Sequence, residues 1–157
     1  MKTKTCNKCN IEKSVTDFFY HKGRKSYMST CKSCNSNYKK EYNSKLKKTD
    51  ELTYQLRNRA SELVRRSKYK NIPYEKKMFH LLKRKFEEQK GKCYYTNFDM
   101  DLSGFSVGND YCFVVDRIDP EKGYVEENIV FCCNSINKIK SSYSLDELRW
   151  WVDQIKK

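Results

Sequence analysis

An α+β chain with an N-terminal metal module is what this sequence predicts, on three observations. Two Cys-x-x-Cys pairs, Cys6/Cys9 and Cys31/Cys34, are separated by 21 residues. The middle of the chain repeats apolar residues at helical spacing. The last third holds two short runs of β-branched and aromatic residues, followed by a short helical pattern.

The cysteine pairs come first in the chain. Each Cys-x-x-Cys turn can direct two thiolates inward, and two such turns complete a tetrahedron around zinc. Four cysteines leave no open coordination position, so such a zinc is structural. A module this short has little core of its own, and the metal would supply much of its folding free energy. Asp17-Phe18-Phe19-Tyr20 provides apolar residues between the pairs, and Lys22-Gly23-Arg24-Lys25 reads as a basic turn. His21 is not needed as a ligand. Lys32, Lys39, Lys40, Lys45, Lys47 and Lys48 follow, with Tyr38 and Tyr42 at helical spacing. This gives a first division, residues 1–48.

Residues 49–90 read as a basic helical linker. Thr49 or Asp50 can cap a helix with Leu52, Leu56, Leu63 and Val64 on one face. Arg57, Arg59, Arg65 and Arg66 fall on its other face, and they are either solvated or turned to nucleic acid. Pro73 suits the first turn of a second helix reaching Gln89, with Met78, Leu81, Leu82 and Phe86 as its stripe and Gly91 as its stop. His80 sits beside that stripe.

In residues 91–157, the runs 111–115 and 129–133 predict two strands, and Asn134 to Lys140 a helix. That order can bring Asp116 near Asn137. A carboxylate and an amide oxygen form a hard-oxygen pair suited to Mg²⁺, which keeps waters and takes further oxygens from substrate phosphate. Asp and Asn are also ordinary at strand ends and helix starts, so Asp116, Asn128 and Asn137 can equally be turn and cap residues. Ser144-Leu145-Asp146-Glu147 is a capping box for a last helix. Its Leu148, Trp151, Val152 and Ile155 predict a helix packed on the hairpin or on the middle helices; a dimer contact is the rival use.

Composition narrows the function classes. The chain has 157 residues and a formal net charge of +13. Residues 1–90 hold 25 Lys+Arg and 9 Asp+Glu, a balance of +16, and the remaining residues balance at −3. A segment so basic meets a polyanion by counterion release. A membrane surface is the weaker candidate, since no amphipathic helix with a large apolar face is evident. No apolar run approaches a membrane span, and the start lacks the apolar stretch of a signal peptide. An intracellular setting is therefore expected, in a bacterium or in a cell infected by a virus or phage. There the 8 cysteines would serve as metal ligands or buried thiols, not disulfides.

The stretch Val115-Asp116-Arg117-Ile118-Asp119, Lys122-Gly123-Tyr124, Asn128-Ile129, Cys133 and Asn137-Lys138-Ile139-Lys140 resembles the ββα-metal motif of HNH endonucleases. Asn137 stands nine positions after Asn128 and Lys140 three positions after Asn137, as in that pattern. Residues 89–95 resemble the usual lead-in of a helix end and Gly-x-Cys. The upstream cysteine pairs and the Asp-Arg variant look most like the compact PacI-type restriction endonucleases and related phage proteins. The resemblance implies a ββα-metal (HNH, His-Me finger) core with flanking helices and an N-terminal four-cysteine zinc module. It implies a metal-dependent DNA endonuclease, restriction-like or nicking. Asp116 and Asn137 would be ligands of a catalytic Mg²⁺ or Mn²⁺, and Asn128 would hold the loop. Double-stranded DNA would be the partner, gripped by Lys22, Arg24, Lys25, Lys39, Lys40, Arg57, Arg59, Arg65, Arg66 and Lys140. A palindromic target would favour a homodimer.

Two departures stand out. Arg117 occupies the place of the family's general-base histidine, and a guanidinium stays protonated. It could clamp the scissile phosphate, leaving the base to a water on the cation, Tyr124, Tyr111, Asp119 or His80. Second, a further zinc site of the family would need cysteines where Thr96 and Ile136 stand. Cys112 and Cys132 could compensate Cys93 and Cys133, or all four are small buried thiols. The alternatives are a noncatalytic zinc-dependent nucleic-acid-binding protein, and a branched-DNA or RNA nuclease of the same fold.

Overall fold

The structure is a computed structural model, and it describes residues 2–102 and 108–156. The chain divides into two compact units, 1–49 and 50–157, each described by itself.

The first unit is built from two antiparallel hairpins and a helix. Strands β1 (Thr3–Thr5) and β2 (Glu12–Ser14) pair, as do β3 (Phe18–His21) and β4 (Ser26–Cys31). Helix α1 (Lys32–Thr49) follows directly. The turn after β1 closes by Asn10 N–H donating to Cys6 O, with Asn10 left-handed at φ 53°. The buried residues are Cys6, Phe18 and Cys31, with Cys9 and Cys34 against them. Three such side chains cannot offset the chain entropy of 49 residues, so this unit depends on what its cysteines hold. Helix α1 buries no residue. His21 caps the 22–24 turn, its Nδ1 accepting from Arg24 N–H at 3.1 Å.

The second unit has a single core. Helix α2 (Glu51–Lys70) begins at Asp50, whose carboxylate accepts from Thr53 N–H at 2.9 Å. It buries Leu56, Ala60, Leu63 and Ser67, the i, i+4, i+7, i+11 stripe of a helix laid on a core. Helix α3 (Met78–Glu88) buries Met78, Leu81, Leu82 and Phe86. Strands β5 (Phe113–Arg117) and β6 (Ile129–Cys133) form an antiparallel hairpin with Asp116 opposite Val130. Helix α4 (Asn134–Lys140) follows, and helix α5 (Leu145–Ile155) ends the unit. Phe86, Phe113 and Phe131 meet with centroids 5.2 to 5.7 Å apart, joining α3 to both strands. The apolar stripes of 49–90, read from the sequence as a linker, thus pack into one cluster with the hairpin.

Several elements differ from expectation. The first strand starts at Phe113, not Tyr111. Tyr111 O accepts from Asp101 N–H and Cys112 O from Asn134 N–H, so these residues pair elsewhere. Asp116 consequently lies inside the strand. Pro73 is not in the first turn of α3. It precedes the helix in an extended segment, where its carbonyl accepts from Tyr124 N–H at 2.9 Å and Tyr74 bridges Tyr124. Helix α5 has its capping box between Ser144 and Glu147, but it buries no residue. Leu148 and Val152 instead line an open groove of about 980 Å³ with Tyr94, Tyr95, Ile136 and Ile139, and Trp150, Trp151 and Ile155 are exposed. No helix among the described residues is long and apolar enough to cross a membrane.

Candidate functional site

The first candidate is the cysteine cluster. The sulfurs of Cys6, Cys9, Cys31 and Cys34 lie within 4.8 Å of one another. A zinc tetrahedron with Zn–S of ~2.3 Å has edges near 3.8 Å, so the four thiols fit a small contraction around one ion. Cys6 and Cys9 come from the turn after β1, Cys31 from the end of β4 and Cys34 from the first turn of α1. Cys6 Sγ accepts from Cys31 N–H at 3.3 Å and from Lys8 N–H at 3.4 Å. These donors, Cys31 first, bring Cys6 down to about 6 against the cost of burial. Cys34 is pushed up to about 12, first by its hydrogen bond with Cys31 and then by burial. Four crowded thiols cannot all ionise without a cation between them, which is the electrostatic signature of a metal-holding group. Lys22, Arg24, Lys25, Lys39 and Lys40 are all exposed on this unit.

The second candidate is a cavity of about 540 Å³ in the other unit. Arg66 and Lys70 of α2, Asp116 and Arg117 of β5, Pro120 and Tyr124 of the loop, and Asn137 and Lys138 of α4 line it. The hairpin and α4 therefore do bring Asp116 and Asn137 to one wall. Asp116 is 8% exposed. Its Oδ2 accepts from Tyr95 O–H at 2.7 Å and lies 3.2 Å from Lys140 Nζ. Its Oδ1, like the Asn137 side-chain amide, has no protein partner among the described residues. Asp116 and Asn137 thus bring to the same cavity a carboxylate oxygen and an amide without protein partners among the described residues, a donor set that fits a hard divalent cation. Burial first, then the bond to Asp116, drives the Tyr95 hydroxyl well above the usual tyrosine range, so it stays a donor.

Asn128 is buried and uses its whole amide on the loop. Oδ1 accepts from Asp119 N–H at 2.9 Å, and Nδ2 donates to Asp119 O at 3.0 Å and Gly123 O at 2.9 Å. Arg117 Nη1 donates to Pro120 O at 2.7 Å and Lys122 O at 3.1 Å, and its guanidinium sits 5.2 Å from the Tyr124 ring. Its other two nitrogens have no protein partner among the described residues. Arg117 is therefore a loop fastener with donors to spare. Of the side chains named as bases, only Tyr124 lines this cavity. Tyr111 is exposed against Phe98, Asp119 caps its own loop, and His80 is exposed on α3 beside Phe79.

The basic residues separate. Arg66 lines the cavity, whereas Arg57 lies 5.2 Å from the Phe79 ring and Arg59 pairs with Glu62 at 3.8 Å. Arg65 is exposed. Lys140, expected on a DNA-facing surface, is 1% exposed and cannot reach one. Its ammonium donates to Arg117 O at 2.9 Å, and burial is tolerable because the carboxylate and the carbonyl replace water.

A second four-cysteine centre is not formed. Among the described residues the N-terminal group is the one convergent set of ligating side chains. Cys132 and Cys133 are neighbours in β6 and point to opposite faces. Burial pushes Cys112, Cys132 and Cys133 up, the last to about 11. Cys93 differs: burial raises it, but Thr96 and the N–H groups of Cys133, Thr96 and Tyr95 outweigh that and bring it down.

Three contributors had weak sequence signals. Tyr95 and Lys70 became visible only through their neighbours in space. Gln89 clips α3 to β6, donating to Phe131 O at 2.9 Å and accepting from Phe131 N–H at 2.8 Å. A glutamine at a helix end carries no such message by itself.

No protein-family model and no curated protein matches this chain. Among solved structures it is similar to the rare-cutting HNH restriction endonuclease PacI, described for the way it perturbs DNA. The similarity covers 97% of this chain and 92% of that one, at 18% identity and a TM-score of 0.44.

Proposed function

We propose that this chain is a metal-dependent DNA endonuclease with a ββα-metal site and a structural zinc. The observation that carries the assignment is one cavity lined by Asp116 and Asn137 together with the four cations Arg66, Lys70, Arg117 and Lys138. A carboxylate and an amide supply part of a Mg²⁺ or Mn²⁺ shell, and four cations suit the phosphates of a nucleic-acid backbone.

The chain's own residues divide the work. Asp116 and Asn137 would hold the divalent ion, which when bound stabilises charge on the cleaved phosphodiester. Tyr95 and Lys140 fix Asp116 through Oδ2, leaving Oδ1 without a protein partner among the described residues. Asn128 and Arg117 fasten the loop, and the free nitrogens of Arg117 are placed to hold a phosphate oxygen. Arg66 and Lys70, one helical turn apart, add a second hold on phosphate. Tyr124 lines the same cavity and stacks under the Arg117 guanidinium. The zinc module and α1 would grip the backbone through Lys22, Arg24, Lys25, Lys39 and Lys40. A palindromic target would be met by two copies.

Incubation of supercoiled plasmid with the chain and Mg²⁺ or Mn²⁺ tests this. Nicked or linear product from wild type, and none from Asp116→Ala or Asn137→Ala, is expected. Intact plasmid and intact branched DNA and RNA with wild type would overturn the assignment. One observation favours a noncatalytic nucleic-acid-binding protein instead: Asp116 already has a counter-ion in Lys140. In that case all three chains bind DNA equally and none cuts it.

A further inference from the structure

We propose that the cations of this cavity make divalent-metal binding wait for a substrate phosphate, so that metal and phosphodiester bind with strong mutual dependence and the free chain takes up the metal poorly. This rests on the nuclease assignment above and concerns the order in which its site fills.

The charges point one way. Among the described residues lining the cavity, the cations Arg66, Lys70, Arg117 and Lys138 share it with the single carboxylate of Asp116. Behind it lies Lys140, 3.2 Å from Asp116 Oδ2 and shut off from solvent, so the carboxylate is neutralised before any ion arrives. Lys138 is paired with the exposed carboxylate of Asp110 at 3.6 Å, whereas Arg66 and Lys70 have no carboxylate partner among the described residues. A doubly charged cation approaching this site is repelled by more positive charges than it is attracted to. The protein also offers it few ligands, Asp116 Oδ1 and the Asn137 amide oxygen. Ions of this kind dehydrate reluctantly and are commonly completed by substrate phosphates.

A phosphodiester reverses both deficits. Its negative charge offsets Arg66, Lys70 and the free nitrogens of Arg117, and its non-bridging oxygen is a further hard ligand. Linkage then requires the metal to tighten DNA binding by the same factor as DNA tightens metal binding. Metal would be recruited where a strand is already seated, and Lys140 would keep the empty site folded in the meantime.

Calorimetric titration of Mn²⁺ into the zinc-loaded full chain tests the order, with the metal alone as first probe. Wild type should bind weakly, and Lys70→Gln/Lys138→Gln should bind roughly tenfold more tightly, within the usual span of coupling factors. Both lysines are exposed, so the variant should fold. With a short mixed-sequence duplex present, wild-type affinity should rise by a similar factor, using Asp116→Asn as the blank for ions taken up by DNA. A merely structural role for these lysines predicts no gain in metal affinity. Equal affinity with and without duplex, or no gain in the double variant, overturns the proposal. If wild type still cuts plasmid, the ordering alone falls; if it neither cuts nor shows Asp116-dependent Mn²⁺ uptake, the nuclease assignment falls with it.

Discussion

Lys140 Nζ lies 3.2 Å from Asp116 Oδ2, and both side chains are buried. A charge pair of this kind contributes little net stability but is costly to break, because the survivor is left uncompensated. Lys140→Met should therefore destabilise the second unit by about 3–5 kcal/mol. Lys140→Met/Asp116→Asn, which removes both charges, should recover part of the loss. Urea unfolding followed by tryptophan fluorescence checks this, since both tryptophans, Trp150 and Trp151, lie in that unit.

Gly123 has no room for a side chain. A Cβ there would collide with the carbonyl oxygen of Pro73, where the loop meets the segment before α3. Gly123→Ala must push these backbones apart and stretch the Tyr124 N–H to Pro73 O bond. A loss of about 1–3 kcal/mol is expected, with faster hydrogen exchange at the Tyr124 amide. An unchanged Tm would contradict the close approach.

Asn128→Ala removes three hydrogen bonds to the 119–123 loop. At a net value near 1 kcal/mol each, the expected cost is about 3 kcal/mol. The Asp119 amide should lose its exchange protection while the amides of α3 keep theirs. Under the nuclease assignment, cleavage should fall more than DNA affinity, because the loop carries Arg117's fastenings and not the basic exit helix.

A strong chelator should remove the metal from the four-cysteine group and unfold the first unit, leaving tryptophan emission unchanged. Acid should act the same way. The folded Cys6 thiol is lowered from 9.0 to about 6, so its thiolate's contribution is fully present above 9 and is lost as the pH falls through 6. Metal retention against a competing chelator should decline across that window. Retention that improves on acidification would contradict the assignment of these thiolates as ligands.

Lys39→Ala/Lys40→Ala should weaken DNA binding and flatten its salt dependence. Each lysine–phosphate pairing that the substitutions remove should lower the slope of log K against log salt by about 0.9. An unchanged slope, measured by anisotropy over a range of salt concentrations, would place these exposed lysines off the DNA.

Local chemistry alone was enough for the cysteine group, the helices and the ββα order of this chain. Thiol pairs announce themselves by spacing, Ser144 by its capping box, and α2 and α3 by an apolar period that any core would select, while the cap of α2 stayed open between Thr49 and Asp50 until the structure chose Asp50. The loop-holding part of Asn128 came from the family resemblance; local chemistry by itself offered only a turn or cap residue there. What only tertiary structure decided involves distance in sequence. Whether Arg57, Arg59, Arg65 or Arg66 faces the site depends on how α2 is rotated against the hairpin, and only Arg66 is turned to it. Lys140 looked like one more surface lysine until the carbonyl of Arg117 and the carboxylate of Asp116 surrounded it. Helix α5 shows the converse: its apolar stripe predicted burial, yet none of its residues is fully buried, and Trp151, Val152 and Ile155 are exposed. Periodicity records which face of a helix is apolar, but the partner that covers it, like the counter-ion of a buried charge, is chosen by packing between residues far apart in the chain.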